Sequence, residues 1–259
     1  MNIKLTLSYD GTAYHGWQEQ QNAVTVQGTL LAAIRNVMSD ASSVQGVSRT
    51  DAGVHAILYT ANFCTEKVIP IENITKALNS NLPLDIRVLN AEIVDDEFHA
   101  QFDCINKTYI YRISNSEIQC PFDKNYTWHF PYKLDFDKMQ EAAKFIIGTK
   151  DFSAFCASGE EREDRVRTVN SLDISMSRHS ELDSESQIAG QARNDIITIE
   201  INADGFLYNM VRIIVGTLIE VGNGRILVDE IQGIIEGKDR TKAGMTAPPH
   251  GLFLKEAFY

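Results

Sequence analysis

Val44-Gln45-Gly46-Val47-Ser48-Arg49-Thr50-Asp51-Ala52-Gly53-Val54-His55-Ala56-Ile57-Leu58-Tyr59-Thr60-Ala61-Asn62-Phe63 reads as a short strand, a charged turn and a longer strand. Val44 to Val47 is brief and apolar at both ends. Ile57, Tyr59, Ala61 and Phe63 alternate, which puts them on one face of a strand. Between the two strands, Asp51 stands two residues after Arg49 and two before Gly53. Glycine lets the backbone bend sharply there. A neighbouring guanidinium keeps a carboxylate charged. An ionised carboxylate in a cleft can attack an electrophilic carbon or take a proton, so Asp51 is the first candidate for chemistry. An aspartate that merely caps local backbone is the plainer alternative.

The fold follows outward from this stretch. Upstream, Ile3, Leu5, Leu7 and Tyr9 share one face of a strand, and Asp10-Gly11-Thr12 is a turn. Val26, Leu30, Ile34 and Val37 recur at helical spacing, with Thr25 placed to cap. Downstream, Ile71, Ile74 and Leu78 mark a second helix ended by Asn79 to Pro83, and Ile86 to Val94 is a strand. The order strand-helix-strand-strand-helix-strand matches a ferredoxin-like split arrangement. The second half repeats the mixture. Thr108 to Ser114, Thr168 to Met176, Ile196 to Asn202 and Leu252 to Phe258 are strand-like. Asp135 is placed to cap a helix carrying Met139, Ala142, Phe145 and Ile146, which Gly148 closes. Phe206 to Val221 is an apolar helix, and Val228, Ile231, Ile234 and Ile235 mark another.

These readings predict an α+β protein of two related halves, residues 1–105 and 106–259, with a largely antiparallel sheet. A central cleft is expected to hold the active site, since ligand sites favour such junctions. Ser177 to Asn194 is polar and lacks any apolar period, so it reads as an exposed insertion between two strands.

Composition sets limits. The chain has 259 residues, 44% hydrophobic and 23% charged, as in ordinary soluble globular proteins. No apolar run approaches the roughly 20 residues of a membrane span, and the first residues lack a signal-peptide pattern. Cys64, Cys104, Cys120 and Cys156 are widely spaced with no Cys-x-x-Cys pair, which predicts reduced cytoplasmic thiols. A net charge of −11 disfavours nucleic acid by composition alone, although a local basic groove can coexist with an acidic exterior. No His-Glu-x-x-His pattern points to a metal, and no glycine-rich phosphate loop points to a nucleotide cofactor.

Three further sets of residues could serve a site. Arg212 lies at an apolar helix start, either as a plain surface arginine or buried against a distant carboxylate, for which Asp51 is the candidate. Tyr109 and Tyr111 share a strand face, as sheet-packing residues or with one ring stacking on a base, and Lys107 and Arg112 lie close enough to serve phosphates. Arg162, Arg165 and Arg167 sit among acids in what reads as a solvated loop that could still touch a phosphate backbone.

Taken in order, Tyr9 to Thr12, Gly16 to Gln18, Val26-Gln27, Arg49 to His55, Asn79 to Pro83, Phe98 to Ala100, Lys107 to Tyr111, Phe152, Gly205 to Arg212, Val215-Gly216 and Gly251-Leu252 resemble the TruA-type tRNA pseudouridine synthases over nearly the whole chain. The resemblance implies that Asp51 is the catalytic aspartate and that Tyr109 stacks on the target uracil. It implies that Arg212 pairs with the aspartate and that Arg49 helps hold RNA around a flipped nucleotide. It further implies a homodimer without cofactor or metal, acting on uridines 38, 39 and 40 in the anticodon stem-loop of tRNA. Ser48 stands where the family usually has glycine, Cys104 where a small alanine is usual, and the Ser177 to Asn194 stretch is absent from typical members. Two alternatives remain at this stage: a non-catalytic tRNA-binding or tRNA-folding protein on the same fold, and a carboxylate-dependent hydrolase with a second carboxylate.

Overall fold

In the computed structural model, which describes residues 1–159, 163–178 and 195–259, the alternation at the start of the chain forms strand β1 (Asn2–Tyr9). Ile3, Leu5, Leu7 and Tyr9 are all buried. Next come α1 (Val26–Val37), β2 (Gln45–Gly46), β3 (His55–Cys64), α2 (Ile71–Asn79) and β4 (Ile86–Val94). Thr25 caps α1 as its spacing predicts, its hydroxyl accepting from Gly28 N at 3.2 Å. β1 pairs antiparallel with β3, Ile3 opposite Phe63 and Leu5 opposite Ala61, and with β4 on its other side. β2 adds to β3 through Gln45 and Gly46, so the strands run β4–β1–β3–β2. The two helices bury Val26, Leu30, Ile34, Ile74 and Leu78, and α2 lies against β4. This is the split β-α-β-β-α-β arrangement expected of the first hundred residues.

The chain continues with β5 (Asn106–Ser114), β6 (Trp128–His129), α3 (Phe136–Lys144), β7 (Gly148–Asp151), β8 (Val166–Arg178), β9 (Asp195–Ala203), α4 (Met210–Gly222), α5 (Glu230–Gly237) and β10 (Leu252–Phe258). Strands β5–β9–β8–β7 are neighbours in that order, and β6 pairs parallel with β5. Asp135 caps α3 by accepting from Lys138 N at 3.2 Å, and α3 packs on α4 and β8. Two compact units result, one of Met1–Thr108 with Phe253–Tyr259, the other of Tyr109–Leu252. The first unit takes in β10 because Phe253 and Leu254 pair parallel with His55 and Ala56 of β3. The sheet pairing is largely antiparallel, in agreement with the α+β expectation.

Some boundaries differ from those expected. α4 starts at Met210 rather than Phe206, because Asn209 adopts a left-handed conformation that halts any earlier helix. β6 and β7, four residues or fewer, carry too short a pattern to be read. Of the stretch read as an insertion, Ser177 and Arg178 end β8; residues 179–194 lie outside the described residues, as does Arg162. No disulfide joins any of the four cysteines. No helix among the described residues is long and apolar enough to cross a membrane.

Candidate active site

The Asp51 turn is held by the segment that follows β1. Trp17 N donates to Thr50 O at 3.0 Å, and Gly53 N donates to Tyr14 O at 3.3 Å. The Tyr9 and Thr50 hydroxyls meet at 2.8 Å in a buried contact. Val54 N closes the turn onto Asp51 O at 3.1 Å, and Gly53 takes φ +78°, the sharp bend expected of it. Gly16 has φ +85° and faces this backbone so closely that a Cβ would stand 2.5 Å from Thr50 O. Below the turn, Trp17 stacks on Tyr59 at 4.2 Å and 28°, with Tyr9 against the same ring. The Tyr59 hydroxyl donates to Ser48 O at the entry to the turn. At its exit, His55 is buried and stacked on Phe253 at 4.6 Å; its Nδ1 lies 3.0 Å from Gly11 N and 3.1 Å from Asp10 Oδ1. Asp51 is partly buried on a turn fixed from both ends, the preorganisation that a reacting carboxylate needs.

The Arg49 side chain is exposed, while the intervening Thr50 points inward and is buried. Asp51 and Arg49 belong to the first unit; Tyr109 and Arg212 belong to the second.

In the second unit, Tyr109 is buried on β5 and meets Phe206 edge to face at 5.1 Å and 84°. Tyr111, also buried, donates its hydroxyl to Pro248 O at 2.7 Å. Burial pushes the Tyr111 phenol well above its ordinary value, partly offset by the nearby positive charge of Arg212. Arg212 lies in the first turn of α4. Its Nε donates to Ala247 O at 2.7 Å and one Nη to Asn209 Oδ1 at 2.8 Å. Arg167 lies beside Gly205, with its guanidinium on the carbonyls of Asp164 and Val166.

The family model described as tRNA pseudouridine synthase matches residues 6–103 and 142–259. This chain belongs to the tRNA pseudouridine synthase family. A protein of Thermoanaerobacter sp. (strain X514) named tRNA pseudouridine synthase A is 49% identical, over 100% of this chain and 99% of its own. One of Clostridium tetani named tRNA pseudouridine synthase A 2 is 48% identical over 100% and 98%. One of Bacillus pumilus named tRNA pseudouridine synthase A is 44% identical over 100% and 99%. The chain is therefore an isomerase of this family.

The sequence reading singled out Asp51, Arg49, Tyr109 and Arg212 and missed the residues that hold the Asp51 turn. Tyr9, Gly16, Trp17, Tyr59 and His55 all reach the Asp51 turn, yet each looks like a strand, turn or core residue on its own. Only the matching stretches Tyr9 to Thr12, Gly16 to Gln18 and Arg49 to His55 hinted at Tyr9, Gly16, Trp17 and His55, and none of them reached Tyr59. Among the described residues no cluster of three or more His, Cys, Asp or Glu could hold a metal.

Proposed function

We propose that this protein isomerises uridine to pseudouridine at positions 38, 39 and 40 in the anticodon stem-loop of tRNA, with Asp51 as the catalytic carboxylate. The full-length likeness to proteins named tRNA pseudouridine synthase A carries the reading. The rigid turn under Asp51 supports it. The C1′–N1 bond of the nucleotide breaks, the uracil turns, C5 bonds to C1′, the C5 proton leaves and N1 ends protonated. No electron is gained or lost, so the reaction calls for no redox cofactor. The target must leave the base stack, which costs a few kcal/mol. Tyr109 offsets part of that by stacking on the uracil, worth about 1–3 kcal/mol. Arg212 pairs with the Asp51 carboxylate and holds its charge, and the exposed Arg49 guanidinium grips the RNA backbone beside the flipped nucleotide. The protein works as a homodimer in the cytoplasm, one acidic surface carrying a local basic path for the tRNA.

Release of tritium to water from tRNA labelled at uridine C5 tests this reading. Wild type releases label; Asp51→Asn binds tRNA with comparable affinity and releases at least about 10³-fold more slowly, as expected when a reacting group is removed. Appreciable turnover by Asp51→Asn would sink the assignment. Binding by wild type without release would make the protein a tRNA-binding or tRNA-folding factor instead.

A further inference from the structure

We propose that Asn209 is a positioning residue that orients Arg212. Asn209 precedes α4 as its N-cap. An asparagine there ordinarily takes extended backbone and turns its side-chain oxygen back onto the N–H groups of the first helical turn. Asn209 does neither. Its backbone is left-handed, φ 60° and ψ 10°, and its side chain makes no capping hydrogen bond. Its Oδ1 instead accepts from an Nη of Arg212 at 2.8 Å. Arg212 itself offends a second local rule, since a cation in the first turn faces the positive end of the helix dipole. One contact accounts for both departures, and departures from local rules cluster where function sets the geometry.

The rest of the frame around Arg212 is rigid. Its Nε donates to Ala247 O at 2.7 Å, and Ala247 N returns to Arg212 O at 3.0 Å. Ala247 belongs to a strap, residues 240–248, that Arg240 ties together. The Arg240 guanidinium donates to Gly244 O at 2.9 Å and to Thr246 Oγ1 at 3.1 Å. Gly244 N in turn donates to the buried Thr217 Oγ1 of α4 at 2.9 Å. A planar guanidinium held at Nε and one Nη has its plane fixed, so the direction of its other edge is set before substrate arrives. The strap grips one point and Asn209 another, so losing Asn209 removes one of the contacts that set the guanidinium plane.

This role rests on the reading of Arg212 as the partner of the catalytic carboxylate, and the test separates the two. Asn209→Gly keeps the left-handed backbone without steric cost and removes the acceptor. With the full chain and C5-labelled anticodon-stem-loop RNA, it should lower kcat about tenfold while KM stays within about twofold and Tm holds. Asn209→Asp, which restores an acceptor oxygen, should recover most of that loss. In the Arg212→Lys background, Asn209→Gly should change kcat by less than about twofold, because its effect passes through Arg212. Losses that multiply in the double variant would overturn the proposal. So would a wild-type kcat in Asn209→Gly beside a slow Arg212→Lys. If Arg212→Lys is itself as fast as wild type, the role of Arg212 falls, and that of Asn209 with it.

Discussion

Replacing one ring or one hydrogen separates what the side chains here do from where they sit. Tyr109 is buried against Phe206, so its ring has a packing function in the free protein and, on the proposed reading, a stacking function with uracil bound. Tyr109→Phe keeps both faces of the ring and removes only the hydroxyl; turnover should stay within about tenfold of wild type if stacking is what matters. Tyr109→Leu loses the ring and should fall a further 10-fold or more in kcat/KM, about 1.4 kcal/mol. A leucine variant as active as the phenylalanine one would show that stacking contributes nothing. Gly16 is a different case, since it has no side chain to act with. A methyl group there meets Thr50 O at 2.5 Å on backbone with φ +85°. Gly16→Ala should therefore cost about 1–3 kcal/mol in thermal stability and, by displacing the Asp51 turn, lower kcat about 10²-fold. Unchanged kcat would mean that the turn does not depend on this contact. Gly53 was legible in the sequence because the bend is its own φ. The need for Gly16 was not, because it arises from backbone brought close only by the fold.

At the scale of elements, periodicity located every strand and helix long enough to show a period. β1, β3 and β4 alternate, and α1 and α3 carry both the spacing and the cap, Thr25 and Asp135. The misplaced boundary of α4 has a physical cause. Phe206, Leu207 and Met210 fit an apolar helix, but Asn209 turns left-handed and the helix begins after it. Short β7 was invisible to pattern, yet a charged contact ties it to α5: Lys238 Nζ lies 2.7 Å from Asp151 Oδ2. Burial alone would push the Asp151 carboxyl up. Hydrogen bonds from Lys238 and from the Ser153 hydroxyl and N–H, with the Lys238 charge, outweigh it and bring the pKa down to about 2. A carboxyl depressed in the folded state stabilises above its unfolded value of about 3.9, and that contribution is lost as pH falls toward 2. Lys238 is largely exposed, so the contact is worth no more than about 1 kcal/mol at pH 7. Asp151→Asn should thus melt lower than wild type at pH 7, with the difference closing between pH 4 and pH 2. A difference that persists at pH 2 would assign the effect to packing instead of charge.

At the scale of the whole chain, the decisive contact ties the last strand, β10, to β3. Sequence patterns gave β10 as a strand but could not say which neighbour it takes, since pairing partners far apart leave no mark in local periodicity. Its pairing is parallel, Phe253 opposite His55 and Leu254 opposite Ala56, at the start of the strand that leads out of the Asp51 turn. The Phe253 ring stacks on His55, Phe258 O accepts from Ile105 N at 2.8 Å, and the Tyr259 hydroxyl donates to Ala100 O at 2.8 Å. The last seven residues thus complete the unit whose first residues hold the turn. Phe253 and Leu254 are buried, and losing two such side chains costs about 3–5 kcal/mol each. That rivals the roughly 5–15 kcal/mol that stabilises a whole domain. A chain ending at residue 252 should therefore fail to fold its first unit, seen as loss of the cooperative thermal transition and of the near-ultraviolet signal of Trp17 and Tyr59. Adding the missing heptapeptide in trans at millimolar concentration should restore part of both signals, because a parallel edge of β3 remains for it to pair with. A truncated chain that melts like wild type would show that β10 only lies on the first unit and that the Asp51 turn stands without it.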